Sequence, residues 1–210
     1  MESSGSIQSD ALLALGEILV EYGYRRTNPV QDVLPTMDPF RLNQKYPAQR
    51  LRFGDDQWRA YYHSHSDQYP APWNEHGHFH LFYRVDSQGD TATDWSHVVG
   101  LSMSSEGQPT RWFTVNNWVC GDHWKPASDL VEIIRFSTEG KQPVSRWLGS
   151  LVCFYRDQVI ELLYRRDQEL DRIKGDQSVP DALSDRDIYH LSDQAIDLKR
   201  ELSVALDQDT

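Results

Sequence analysis

The stretch HSHSDQYPAPWNEHGHFH, residues 63–80, holds five of the eight histidines of this 210-residue chain. One residue separates His63 from His65, and the same spacing recurs through His76, His78 and His80. Side chains of an extended strand alternate between faces, so each set shares a face. If residues 66–75 return the chain antiparallel, the two rows meet across a hairpin with facing Cβ atoms about 5 Å apart. Neutral imidazole is a borderline-soft donor suited to zinc, iron, copper, nickel or manganese, and one ion needs three or four donors about 2 Å away.

Strand rise limits the set. At about 3.3 Å per residue, His76 and His80 lie roughly 13 Å apart, too far to share an ion unless Gly77 marks a bulge or two ions are present. The expected ligands are therefore His63, His65, His78 and His80, with His76 behind them or replacing one. Glu75 has the opposite parity, a weak rule at the end of a turn. It is expected as a further ligand or as the catalytic general base for a metal-bound water. Packing or pH sensing would account for any one of these histidines alone; five at alternating spacing around one turn point to a transition-metal ion, zinc or iron first.

Other residues bear on such a site. His97 could complete it if its strand neighbours the first two, although a satisfied core or surface histidine fits as well. Asn116 and Asn117, in TVNNWV, are unusual within a strand, and one of them is expected to orient a histidine or touch a metal-bound ligand, an asparagine at a bulge being the alternative. Trp73, in the proline-rich turn YPAPWNE, is a candidate pocket lip, while most of the other tryptophans read as sheet core. Asp122 and His123 read as a turn, His190 as solvated, and Cys120 and Cys153 as packing residues without metal or redox spacing.

The elements that must position these residues follow from periodicity. Residues 10–22 read as a helix, capped by Asp10 and closed by Gly23. Residues 28–56 carry Pro29, Pro35, Pro39 and Pro47 and read as an irregular segment that wraps the domain or covers a site. From 58 to 119, short aromatic and β-branched runs separated by turn signals read as an antiparallel sheet or small barrel. Residues 127–206 read as helical. Their main element runs from Ser145 to about Lys174, with Leu148, Leu151, Tyr155, Val159, Leu162 and Leu163 on one stripe. A last helix is expected to follow the capping pattern of Ser184 and Asp187, with Ile188, Leu191, Ala195, Leu198 and Leu202 on its buried side.

Composition excludes several classes. A formal charge of −11 and the absence of any Lys/Arg block argue against nucleic acid as partner. No segment approaches the roughly 20 apolar residues of a membrane span, and MESSGSIQSD lacks the positive start of a signal peptide. Two cysteines without CxxC spacing suit a reducing cytoplasm. No GxGxxG, P-loop, GxSxG or HExxH pattern occurs, so nucleotide, serine-hydrolase and zincin chemistry gain nothing.

The stretches YYHSH and EHGHFHLF, followed by WFTVNNWV and SDRDIYHLS, resemble a family of uncharacterised bacterial proteins of about this length, a domain of unknown function. The resemblance runs from the first helix to the last and implies no activity. With cupin barrels the similarity is one of donor types alone: His63 and His65 match an HxH pair, but Glu75 falls late and no second motif surrounds His97. The sequence thus predicts a single α+β domain over residues 1–210, with a central antiparallel sheet or small barrel, an N-terminal helix and a C-terminal helical layer. The long helix should pack on the face of Phe79 and Leu81, leaving the histidines facing a pocket. The function expected is a metal-dependent enzyme acting on a small molecule by hydrolysis or oxygen activation. The alternatives are a non-enzymatic protein with a structural or sensory metal, or a metal-free module that binds its ligand on aromatic side chains.

Overall fold

The computed structural model describes residues 4–34, 39–65, 72–85, 94–121 and 123–208. Six antiparallel strands form one sheet in chain order: β1 (Tyr46–Phe53), β2 (Trp58–His63), β3 (Gly77–Arg84), β4 (Trp95–Met103), β5 (Pro109–Val115) and β6 (His190–Ala195). β1 and β6 are both edges, so the sheet is open and the barrel alternative does not hold. Helices α1 (Ser4–Arg25) and α2 (Pro29–Val33) precede it; α3 (Asn117–Cys120), α4 (Ala127–Ile133), α5 (Pro143–Phe154), α6 (Arg156–Lys174) and α7 (Val179–Ser184) lie between β5 and β6; α8 (Leu198–Gln208) closes the chain. This is an α+β architecture.

Alternation divides the sheet into two chemically different faces. On one, Tyr62, Phe79, Leu81, Leu101 and Trp112 are fully buried with Trp147, Leu148 and Leu151 of α5 and Val159 and Leu162 of α6. The helices thus cover the Phe79/Leu81 face, as the periodicity predicts. The opposite face carries Tyr61 and His63 of β2, His78, His80 and Phe82 of β3, and Phe113 of β5. A separate small cluster of Tyr61, Phe82 and Trp95 fills one end of that face.

Several element boundaries differ from the sequence reading, each for a local reason. α1 starts before Asp10 and runs past Gly23, so neither residue marks an end. Within the expected irregular segment 28–56, Pro29 sits in the first turn of α2, where a missing N–H costs nothing, and Asn28 caps it by accepting from the Gln31 N–H at 2.9 Å. Pro47 lies in β1, whose edge position tolerates a residue without a donor. Pro35 lies outside the described residues.

The expected helix from Ser145 is two helices, α5 and α6, with Tyr155 between them at φ −93° and ψ 18°. Tyr155 is buried edge-on against Trp112, at 5.8 Å between ring centroids, and the break lets α6 run across β4, β5 and β6. The i+3/i+4 stripe continues through the joint, so the period alone does not reveal it.

The largest correction is β6, which occupies residues placed in the last helix. Leu191 is buried there, and β6 joins β5 through Thr114↔Ser192 and Val115↔His190. Thr114 and Ser192 hydroxyls meet at 2.6 Å, and the Ser192 hydroxyl also donates to the Leu162 carbonyl at 2.8 Å. These bonds tie the edge strand to α6.

Because Leu162 is fully buried at the junction of sheet and helix, Leu162→Ala should lower the unfolding free energy by about 2–5 kcal/mol. Leu206→Ala, at an exposed position, should change it by less than about 0.5 kcal/mol. Urea titration of both variants checks the contrast; equal effects would contradict the packing.

Candidate metal centre

β2 and β3 pair so that His63 stands directly opposite His78, and Tyr61 opposite His80. The imidazoles of His63, His65 and His78 converge, with one potential ligand nitrogen from each lying within 4.8 Å of the others. His63 Nε2 and His78 Nε2 are 2.8 Å apart. Around a tetrahedral ion with bonds near 2.0–2.1 Å, two nitrogens sit about 3.3 Å apart, so modest ring rotations would admit one. His63 and His78 are buried and His65 is half-buried.

The rear of His78 is held. Its Nδ1 meets Glu75 Oε1 at 2.6 Å, and the other Glu75 oxygen accepts from the Trp73 indole N–H at 3.0 Å. That N–H is shared with Ser102 Oγ at 2.7 Å, and Ser102 stands opposite His78 in β4. Burial alone would raise the Glu75 carboxyl, but the His78 contact and the Ser102 and Trp73 hydrogen bonds outweigh it and hold it below its ordinary value. An ionised Glu75 keeps the His78 proton on Nδ1 and turns the Nε2 lone pair toward His63, the arrangement by which carboxylates orient metal-binding imidazoles. Trp73, expected as a pocket lip, therefore braces Glu75 while its ring packs on Phe113 and His190 at centroid distances of 5.5 and 4.8 Å.

His80, expected with the first three, belongs to a second group. Its Nδ1 lies 2.9 Å from His97 Nε2 and 3.7 Å from Cys120 Sγ, and these three ligand atoms also lie within 4.8 Å of one another. The rings of His78 and His80 are adjacent, with centroids 4.8 Å apart, so the two groups share one face. Phe113 forms part of that face, lying over Gly100, where a Cβ would come within 2.3 Å of the ring.

His76 departs from the row. Its Nδ1 hydrogen-bonds the Tyr62 hydroxyl at 2.6 Å and its ring stacks on Phe40 at 5.8 Å, placing it outside both donor groups. Asn116 and Asn117 lie beyond the strand end. Asn116 is the N-cap of α3, accepting from the Asn117 N–H, and its fully buried carboxamide donates to the carbonyls of Ala182 and Ile188 at 2.8 and 3.2 Å. Asn117 opens α3 itself.

Two residues read as bystanders lie at the site. Cys120 joins the second group, although it also packs on the Tyr61, Phe82 and Trp95 cluster; its only sequence signal is its place just beyond the two asparagines. His190, read as solvated, is half-buried against Trp73 and Phe113. Cys153 is a buried packing residue. His123 is exposed and its backbone N–H donates to the Trp95 carbonyl at 2.9 Å, while Asp122 lies outside the described residues.

An open six-stranded antiparallel sheet, clad in helices on one face and carrying convergent imidazoles on the other, defines an α+β protein with buried histidine groups that could hold a metal. The chain belongs to the family described as a domain of unknown function, DUF6969, whose model matches residues 11–196. No curated protein and no solved structure matches it. Among the described residues no helix is long and apolar enough to cross a membrane.

Burial disfavours the charged form of His63, His65, His80, His97 and His190, and neighbouring histidines add to it. His63 is pushed down to about 2 by desolvation and then by His78 and His65, with Lys45 and Arg50 contributing. Desolvation lowers His97 to about 3 and His190 to about 4 from an ordinary 6.5. Because the folded values lie below the unfolded one, the unfolded chain binds more protons as pH falls through about 6.5, and stability present above that pH is lost. Unfolding between pH 7 and pH 4 should therefore take up more than one proton, each costing about 1.4 kcal/mol per pH unit. Denaturant midpoints measured across this range check it, and a flat profile would contradict neutral buried imidazoles.

Proposed function

We propose that the chain is a metal-dependent enzyme acting on a small molecule, with the ion held by His63, His65 and His78. The observation that carries this reading is the convergence of three imidazole donors, two buried and one half-buried, with Glu75 fixed on the far nitrogen of His78. Structural zinc sites usually close four protein ligands around the ion, whereas catalytic sites leave a position open beside three. A bound ion supplies Lewis acidity and an activated water if it is zinc, or oxygen chemistry if it is iron.

The residues have separate tasks in this reading. His63 and His78 present opposed Nε2 atoms from paired strands, so the sheet's hydrogen bonds set their spacing. His65, past the end of β2, supplies the third, half-buried donor, with the Tyr189 hydroxyl 3.3 Å from its Nε2. Glu75 orients His78 and would have to leave that hydrogen bond to act as the general base expected from the sequence. Trp73 and Phe113 shield the back of the site from water, which strengthens the polar interactions inside it.

Elemental analysis of untagged protein, beside the double variant His63→Ala/His78→Ala, tests the assignment. One ion per chain at this group, absent from a variant that keeps the native circular dichroism, is expected. Wild-type protein that carries no transition metal and takes none up on titration would overturn it. Glu75→Gln, which keeps the shape but removes the charge behind His78, should weaken the measured metal affinity by about 10–100-fold; unchanged affinity would remove Glu75 from the centre.

A further inference from the structure

We propose that His80, His97 and Cys120 form a second metal site of mixed nitrogen and sulfur donors, distinct from the three-imidazole group. The proposal rests on different residues from the reading above, so either site can fail without the other.

The donor spacing fits an ion closely. Around a tetrahedral centre with bonds near 2.05 Å to nitrogen and 2.3 Å to sulfur, the N···N separation is about 3.3 Å and the S···N separation about 3.6 Å. His80 Nδ1 to His97 Nε2 is 2.9 Å, and Cys120 Sγ to His80 Nδ1 is 3.7 Å. Adjustments of a few tenths of an ångström would therefore suffice. His80 and His97 are 1% and 5% exposed.

Three separate local features bring these donors together. In β4, Leu81 pairs with Val99 but Phe82 pairs with His97, so Val98 is the extra residue of a bulge. Regular alternation from Gly100, opposite His80, would put His97 on the helix-covered face; the bulge returns it to the histidine face. Cys120 ends a one-turn helix whose start is fixed by Asn116 and whose Trp118 indole N–H donates to the Ile188 carbonyl at 2.8 Å. Gly121, in the left-handed region at φ 63°, closes that turn through its N–H to the Asn117 carbonyl at 2.8 Å.

The donor set also determines the class of ion. A thiolate with two imidazoles favours zinc or copper over magnesium and calcium, which prefer oxygen. Such an ion would join β3, β4 and α3 at one point, with the His80 ring standing between it and the three-imidazole group.

Cobalt(II) is the probe that separates the two sites, because thiolate ligation adds a near-ultraviolet charge-transfer band that imidazole ligation lacks. Titration of the full chain, first stripped of metal, should show two equivalents bound, one with this band. Cys120→Ser should lose the band and one equivalent, and His65→Ala should keep the band while losing the other. A band that persists in Cys120→Ser, or that never appears in the wild type, would overturn the proposal. A band with a single equivalent, insensitive to His65→Ala, would support it and remove the three-imidazole centre instead. Should Cys120→Ser fail to fold, alkylation of wild-type Cys120 by iodoacetamide gives the second measurement. Zinc should slow it several-fold, and an unchanged rate would overturn the site.

Discussion

The register of β2 on β3 is the constraint on which the rest of the structure depends. With His63 opposite His78, Tyr62 falls opposite Phe79 and Ala60 opposite Leu81. A slip of one residue would turn the apolar row away from α5 and α6 and drive imidazoles into their place. The same pairing therefore builds the core and gathers the donors, and selection on either function of the strand constrains the other. Burial of Phe79 and Leu81 under the helices provides the stabilisation that holds the histidines together on the opposite face, against their desolvation.

That desolvation has a chemical consequence. An imidazolium has no lone pair for an ion, and several of them side by side would repel. The structure counters both by burying His63, His80 and His97 where the charged form is disfavoured, with Lys45 and Arg50, over the Tyr61 ring at 4.5 and 5.1 Å, adding to the effect on His63. Arg52, Arg59 and Arg84 surround Trp95 at 4.5, 4.6 and 4.7 Å, on the same face but toward the opposite strand ends from His63 and His78. In a chain of net charge −11, cations thus gather on the histidine face of the sheet. Glu75 supplies opposite charge at one ring nitrogen, where it sets a tautomer.

Much of this arrangement was legible in the sequence, because alternation is a local property. The pairing of the two histidine rows, the central strands and the helix-covered face all follow from a period of two and from turn residues. What escaped was non-local or two-valued. Leu191, Ala195, Leu198 and Leu202 fit a helical stripe, yet Leu191 is committed to a strand because β5 offers a free edge. The joint at Tyr155 is hidden because its side chain suits the core on either side of the break. Asn116 and Asn117 were out of place as strand residues for a sound reason: they end the strand and begin a helix.

Two departures from regular strand geometry adjust the histidine face. At Gly77 a Cβ would come within 2.6 Å of both the His63 carbonyl and the Tyr62 hydroxyl. Only glycine permits that approach, and the chain just before it sends His76 to Tyr62 and Phe40, out of the row that parity assigns to it. The bulge at Val98 acts in the opposite sense, adding His97 to a face that parity denies it. One irregularity thus subtracts a donor and the other supplies one beside Cys120. Alternation alone would have joined five histidines in two rows; the irregularities set His76 aside and add His97, so that four of the five, with His97 and the Cys120 thiol, fall into two groups of three donors.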